Sequence, residues 1–186
     1  MRALIAIASI CALSAPSLAV QPPPSTKQSG KPYLEDLRVN AEKGDALSQY
    51  SLGIRYRYVS ENIGEATKWL SKAASTGHRQ AMTELGKIYA EGLGVPLSYE
   101  KAANWFKKAA DLGDVEAQHA LAEAYVDGHG VPKDFIKAYM WFNIASSTGL
   151  DPTASISRDM LENRMSHAQV AEAQRLSSEW KPTTKR

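Results

Sequence analysis

Histidine is the side chain best suited to acid–base or metal chemistry near neutral pH, and this chain has four of them. His119 and Glu123 stand at i and i+4, which on a helix puts an imidazole and a carboxylate on one face. That is half of a metal site. No third ligand lies nearby in sequence, and no His-Glu-x-x-His motif occurs. His78 and His129 fall in expected turns, and His167 follows a helix-capping serine. No Gly-x-Ser-x-Gly nucleophile motif is present. Gly92-x-Gly94 and Gly128-x-Gly130 look like phosphate loops, but they follow helical rather than strand patterns, so their glycines serve tight turns. The single cysteine is Cys11, inside an apolar run near the N-terminus. These residues favour no catalytic centre, no metal site and no cofactor; the expectation is a protein that is not an enzyme.

The elements that carry them repeat. Ala81, Leu85 and Gly86 recur as Ala117, Leu121 and Ala122, and Trp105 recurs as Trp141, each at an offset of 36 residues. A fixed period of this size marks a stacked architecture whose units cannot bury their apolar faces alone. Aligning on glycine gives units at 44–76, 77–112 and 113–148, the first three residues shorter between Tyr56 and Ala66.

Each unit reads as two helices. In the first, Leu52, Leu85 and Leu121 are followed by Tyr56, Tyr89 and Tyr125. In the second, Ala66, Ala102 and Ala138 precede Trp69, Trp105 and Trp141, then Ala73, Ala109 and Ala145. Spacings of three and four place each set on one face. Asn62, Ser98 and Asp134 are expected N-caps of the second helix, and Asn62 with Glu65 resembles a capping box. Gly77, Gly113 and Gly149 stand where a left-handed residue ends that helix. The small residues Gly53, Gly86 and Ala122 are expected to face Ala66, Ala102 and Ala138 across the crossing.

The ends differ from the middle. Met1–Arg2, the apolar Ala3–Leu13 and Ser17–Leu18–Ala19 have the form of a secretory signal peptide over residues 1–19, cleaved after Ala19. Cleavage removes Cys11 and Arg2, taking the formal charge from +2 to +1, a balance that argues against nucleic acid as partner. The mature chain then has no cysteine and no transmembrane segment. Residues 20–31 read as a flexible linker and 32–150 as the repeat domain, opened by an incomplete helix carrying Tyr33, Leu34, Leu37 and Ala41. Asp151–Pro152 and Ser166 with Gln169 open two capping helices over 151–180. Lys181–Arg186 reads as a basic, disordered tail.

Leu85–Gly86, Tyr89, Gly92-x-Gly94-Val95-Pro96, Lys101–Ala102, Trp105 and Ala109–Ala110 together resemble a Sel-one-like repeat, a branch of the tetratricopeptide-like superfamily. The third unit matches through Gly128-x-Gly130-Val131-Pro132, Lys137–Ala138 and Trp141. The first lacks the Gly-x-Gly-Val loop, having Arg57–Tyr58–Val59–Ser60 there. The resemblance implies an all-α fold: a right-handed α-solenoid of tetratricopeptide-like helix pairs with a C-terminal capping helical hairpin. It also implies that the first helices line a concave protein-binding groove. Carried over by position, that groove holds Tyr50, Ile54, Arg57, Tyr58, Thr83, Lys87, His119 and Glu123. Arg57 and Tyr58 form the expected contact pair, because Arg can take a partner carboxylate and Tyr gives rigid apolar contact. Some secreted, disulfide-rich proteins of this family are linked to β-lactam hydrolysis, but their cysteine pairs are absent here. The expected function is a periplasmic or secreted protein-binding scaffold. A glycan- or peptidoglycan-binding module, drawing on exposed Tyr to stack on cell-envelope polysaccharide, is the alternative.

Overall fold

The computed structural model describes residues 31–183. The signal-like segment and residues 184–186 of the tail lie outside them. Nine α-helices and no strand form among the described residues. They are α1 (Lys31–Glu42), α2 (Ala46–Tyr58), α3 (Ile63–Ser75), α4 (Arg79–Glu91), α5 (Tyr99–Asp111), α6 (Val115–Asp127), α7 (Phe135–Ser147), α8 (Pro152–Glu162) and α9 (His167–Glu179). Lys31, assigned by sequence to the linker, already opens α1. α2 pairs with α3, α4 with α5, and α6 with α7, while α3–α4 and α5–α6 contacts stack the pairs. α1 covers α2 at one end; α8 and α9 both pack on α7 at the other. This is an all-α solenoid of tetratricopeptide-like helix pairs.

Local chemistry sets the helix ends. Asn62, Ser98 and Asp134 cap α3, α5 and α7, accepting from the backbone N–H of Glu65, Lys101 and Lys137. The box expected at Asn62 is only half made. The Glu65 carboxylate instead accepts from Trp69 Nε1, at 3.1 Å, and from Lys68 Nζ. Ser166 and Gln169 do close a reciprocal box at α9. Gly77, Gly113 and Gly149 hold φ values of 96°, 79° and 69°, ending the second helices in the left-handed region.

The missing residues of the first unit lie in its inner link: residues 59–62 join α2 to α3, whereas 92–98 and 128–134 join the later pairs. Glu61 closes the short link at φ 49°, the sole non-glycine positive φ among the described residues.

The core differs from expectation in one detail. Ala66, Ala102 and Ala138 are buried, at 0%, 2% and 0% exposure. Yet the side chains seated on the small residues of the first helix are Leu70 and Phe106. A Cβ added to Gly53 would lie 2.7 Å from Leu70 Cγ, and one added to Gly86 would lie 2.4 Å from Phe106 Cε1. Leu70 and Phe106 stand four residues after the alanines, on the same helical face, and they reach further across it.

The Gly-x-Gly loops do more than turn. Gly94 rests on Ile63, and Gly130 on the backbone of Tyr99, so each loop covers the start of the preceding unit's second helix. At the C-terminal end, Trp180 follows α9 as its C-cap and meets Trp141 edge-on at 5.7 Å. Residues 181–183, assigned by sequence to the tail, continue along the stack: Pro182 lies by Gly113, and the Thr183 N–H donates to the Asp111 carbonyl at 2.7 Å.

Candidate functional site

The first helices α2, α4 and α6 present three equivalent positions in register: Tyr50, Thr83 and His119. Each reaches the residue that caps the next first helix. Tyr50 stacks on His78, ring centroids 4.6 Å apart. The Thr83 hydroxyl donates to Asp114 Oδ1 at 2.9 Å. His119 Nδ1 meets Asp151 Oδ2 at 2.5 Å. Those partners are N-caps: His78 Nδ1 accepts from Ala81 N–H, Asp114 from Ala117 N–H, and Asp151 from Thr153 and Ala154 N–H. A cap thus serves two roles, starting its own helix and fixing the preceding unit against it. Thr83 is 1% exposed, so of this trio only Tyr50 and His119 keep a partly open face.

One turn on stand Ile54, Lys87 and Glu123. Ile54 is half-buried. Lys87 Nζ bridges Glu84 at 2.9 Å within its helix and Glu116 at 2.5 Å in the next unit. Burial alone would lower its pKa, but Glu116 and Glu84 outweigh that and hold it above the usual lysine value. Glu123 is open to solvent, 3.5 Å from His119 Nε2.

The Arg57–Tyr58 pair separates. Arg57 was expected to face a partner; it is 7% exposed and lies inside the protein. Its guanidinium pairs with Glu84, itself 7% exposed, and reaches Glu91 at 3.3 Å. The reason is local: Glu84 is held on α4 opposite the end of α2, and a buried carboxylate needs a cation. Arg57 is therefore a link between the first and second units. Tyr58 is 58% exposed, with its hydroxyl donating to Glu84 at 3.1 Å. Burial, and then the Glu84 charge, raise its pKa. Sequence alone gave no sign of Glu84, because it lies in the run of α4 that reads as core.

The His119 pKa is raised by Glu123, opposed by burial, and raised further by Asp151. Asp151 is held below the usual carboxylate value: burial opposes this, but hydrogen bonds from Thr153 and His119 prevail. Phe142 stands edge-on to the imidazole at 5.1 Å. The Thr153 hydroxyl donates to Asp151 Oδ1 at 2.6 Å. No group of three or more His, Cys, Asp or Glu that could hold a metal occurs among the described residues.

Between α4, α6 and the start of α8 lies an open groove of about 820 Å³. Of the residues assigned by position to a protein-binding groove, Lys87, His119 and Glu123 line this cavity; Tyr50, Ile54, Arg57, Tyr58 and Thr83 do not. Its floor is apolar and comes from α5, through Ala102, Ala103 and Phe106. Sequence reasoning placed Ala102 in the core, where it lies at 2% exposure; Ala103 and Phe106 are buried beside it, at 3% and 7%. At one rim Tyr99 stacks on His129 at 4.4 Å, and at the other lies Leu150, 78% exposed.

Stacked two-helix units, left-handed glycine ends and an inner groove define a tetratricopeptide-like repeat protein. The Sel1 repeat matches residues 46–78, 79–114 and 115–149, and the chain belongs to that family. It is similar to a Sel1 repeat protein from Oxalobacter formigenes, with 35% identity, a TM-score of 0.62, and coverage of 68% of this chain and 96% of that one. It is also similar to c5321, a protective antigen present in uropathogenic Escherichia coli strains and displaying an SLR fold. That match has 33% identity and a TM-score of 0.76 over 80% of this chain, which spans 32% of the antigen's length. No curated protein matches. The repeat family makes a protein-interaction scaffold the coarse description of the molecule. No described helix is long and apolar enough to cross a membrane.

Proposed function

We propose that this chain is an exported scaffold that binds a protein partner in the groove between its second and third units. The observation that carries the reading is the groove itself: an open channel of about 820 Å³ lined by α4, α5, α6 and the start of α8, between units tied by Thr83–Asp114 and His119–Asp151. Preformed concave surfaces of this kind bind without the ordering cost of a flexible site. Export rests on the basic start, the apolar run and Ser17–Leu18–Ala19. N-terminal sequencing of the protein released by osmotic shock should read from Val20.

Site-specific photo-cross-linking tests the groove. A photoreactive residue at Ala90, which lines it, should capture a protein; one at Asn104, exposed on α5, should not. Equal capture from both positions would remove the groove from the reading. No capture from Ala90, together with co-sedimentation on peptidoglycan, would favour the glycan alternative.

A further inference from the structure

The charge in the groove does not follow the charge of the chain. The whole sequence is formally +2. Five carboxylates line the groove: Glu91, Glu116, Glu123, Asp127 and Asp151. One permanent cation lines it, Lys87. With histidines neutral the local balance is −4, five negative against one positive. That cation is not free to meet an anion, being held between Glu84 and Glu116, while Arg57 is buried against Glu84. The outer carboxylates are open: Glu116 is 64% and Glu123 63% exposed, and Asp127 is exposed with no ion pair among the described residues. An apolar lining beside the acidic rim is a second, independent feature: Leu150 is 78% exposed, and Ala90, Val115 and Ala120 are part-exposed along the groove, surface that a merely solvated acidic face has no reason to flank. A concave wall of low dielectric also concentrates the field of such charges.

Resting on the scaffold reading above, we infer that the partner enters the groove as a segment alternating basic and apolar side chains, its Lys or Arg residues meeting Glu116, Glu123 and Asp127 and its apolar residues seated on Ala90, Val115, Ala120 and Leu150. An acidic segment would meet carboxylates with no available cation, a like-charge arrangement that suppresses wrong partners. The expectation that Arg57 takes a partner carboxylate is thereby reversed in sign.

Three short amidated peptides test this on the full chain by fluorescence anisotropy: alternating Lys and Leu, alternating Glu and Leu, and alternating Ser and Leu. The Lys–Leu peptide should bind, and binding should weaken as NaCl rises from about 0.05 M to about 0.5 M, where the Debye length shrinks several-fold. The double variant Glu116→Gln, Asp127→Asn should weaken it by about fivefold, two exposed pair contributions. A control of equal charge change remote from the groove, Asp159→Asn with Glu179→Gln, should leave it unaltered. Preference for the Glu–Leu or Ser–Leu peptide overturns the inference, as does equal weakening by the two double variants. Cross-linking of a protein at Ala90 alongside any of those results leaves the scaffold reading standing while the basic partner falls. Loss of that cross-link as well removes both.

Discussion

At the scale of single residues, one position separates the surface from the frame. Arg57 and Tyr58 are adjacent in sequence, and both share the aromatic and guanidinium chemistry of contact surfaces. Only their neighbours decide. Arg57 is buried against Glu84; Tyr58 is 58% exposed. Breaking one side of a buried pair leaves an uncompensated charge, so Arg57→Ala should lower stability by about 3–5 kcal/mol. Tyr58→Phe removes one exposed hydroxyl hydrogen bond and should cost under about 1 kcal/mol. Chemical denaturation of the two variants checks this; similar midpoints would show that the Arg57–Glu84 link carries no stability. The contrast also marks how far the sequence was legible. Lys87, His119 and Glu123 fall in the groove because they lie on the inner face of α4 and α6, where helical period alone places them. Arg57 and Thr83 do not, because each answers to a residue one unit away, Glu84 and Asp114. Helical spacing says nothing about that register.

At the scale of elements, the inner links decide how closely one unit approaches the next. The helices, their second-helix caps and their glycine ends were all readable, since each depends on residues within one turn. The role of the Gly-x-Gly loop was not, because it depends on the preceding unit. Two glycines with similar backbone angles bring out the difference. Gly130, at φ 75°, would place a Cβ 2.0 Å from the Tyr99 carbonyl oxygen; Gly149, at φ 69°, has nothing within 4 Å of that position. Gly149→Ala should therefore cost only the left-handed strain, about 1–2 kcal/mol. Gly130→Ala adds a backbone clash and should cost about 3 kcal/mol or more. Thermal melts followed by circular dichroism compare the two. Equal losses would mean that the loop does not seat on α5.

At the scale of the whole molecule, a stack is as firm as its junctions, and each junction here sets a different side chain on a helix cap: Tyr50 on His78, Thr83 on Asp114 and His119 on Asp151. The last of them is tunable. His119 carries a raised pKa through Glu123 and Asp151, so its charged form is favoured in the folded state. The linkage follows from that direction. Stabilisation by protonated His119 is fully present below the ordinary histidine value, about 6.5, and is lost as pH rises through the elevated folded value. Asp151, with its pKa depressed, contributes above the ordinary carboxylate value, about 3.9, and loses its contribution as pH falls through the lower folded value. The junction between the third unit and α8 is accordingly firmest in mildly acidic solution. Because neighbouring interfaces carry solenoid stability, loosening it should be felt through α7 and α9 as well. The native chain should thus exceed His119→Gln in melting temperature by more at about pH 5.5 than at about pH 8.5. Amide exchange should place the pH-dependent protection in α6, α7 and α8. A difference in melting temperature that does not change across that range, or that grows toward alkaline pH, would show that the imidazole holds the cap as a neutral donor.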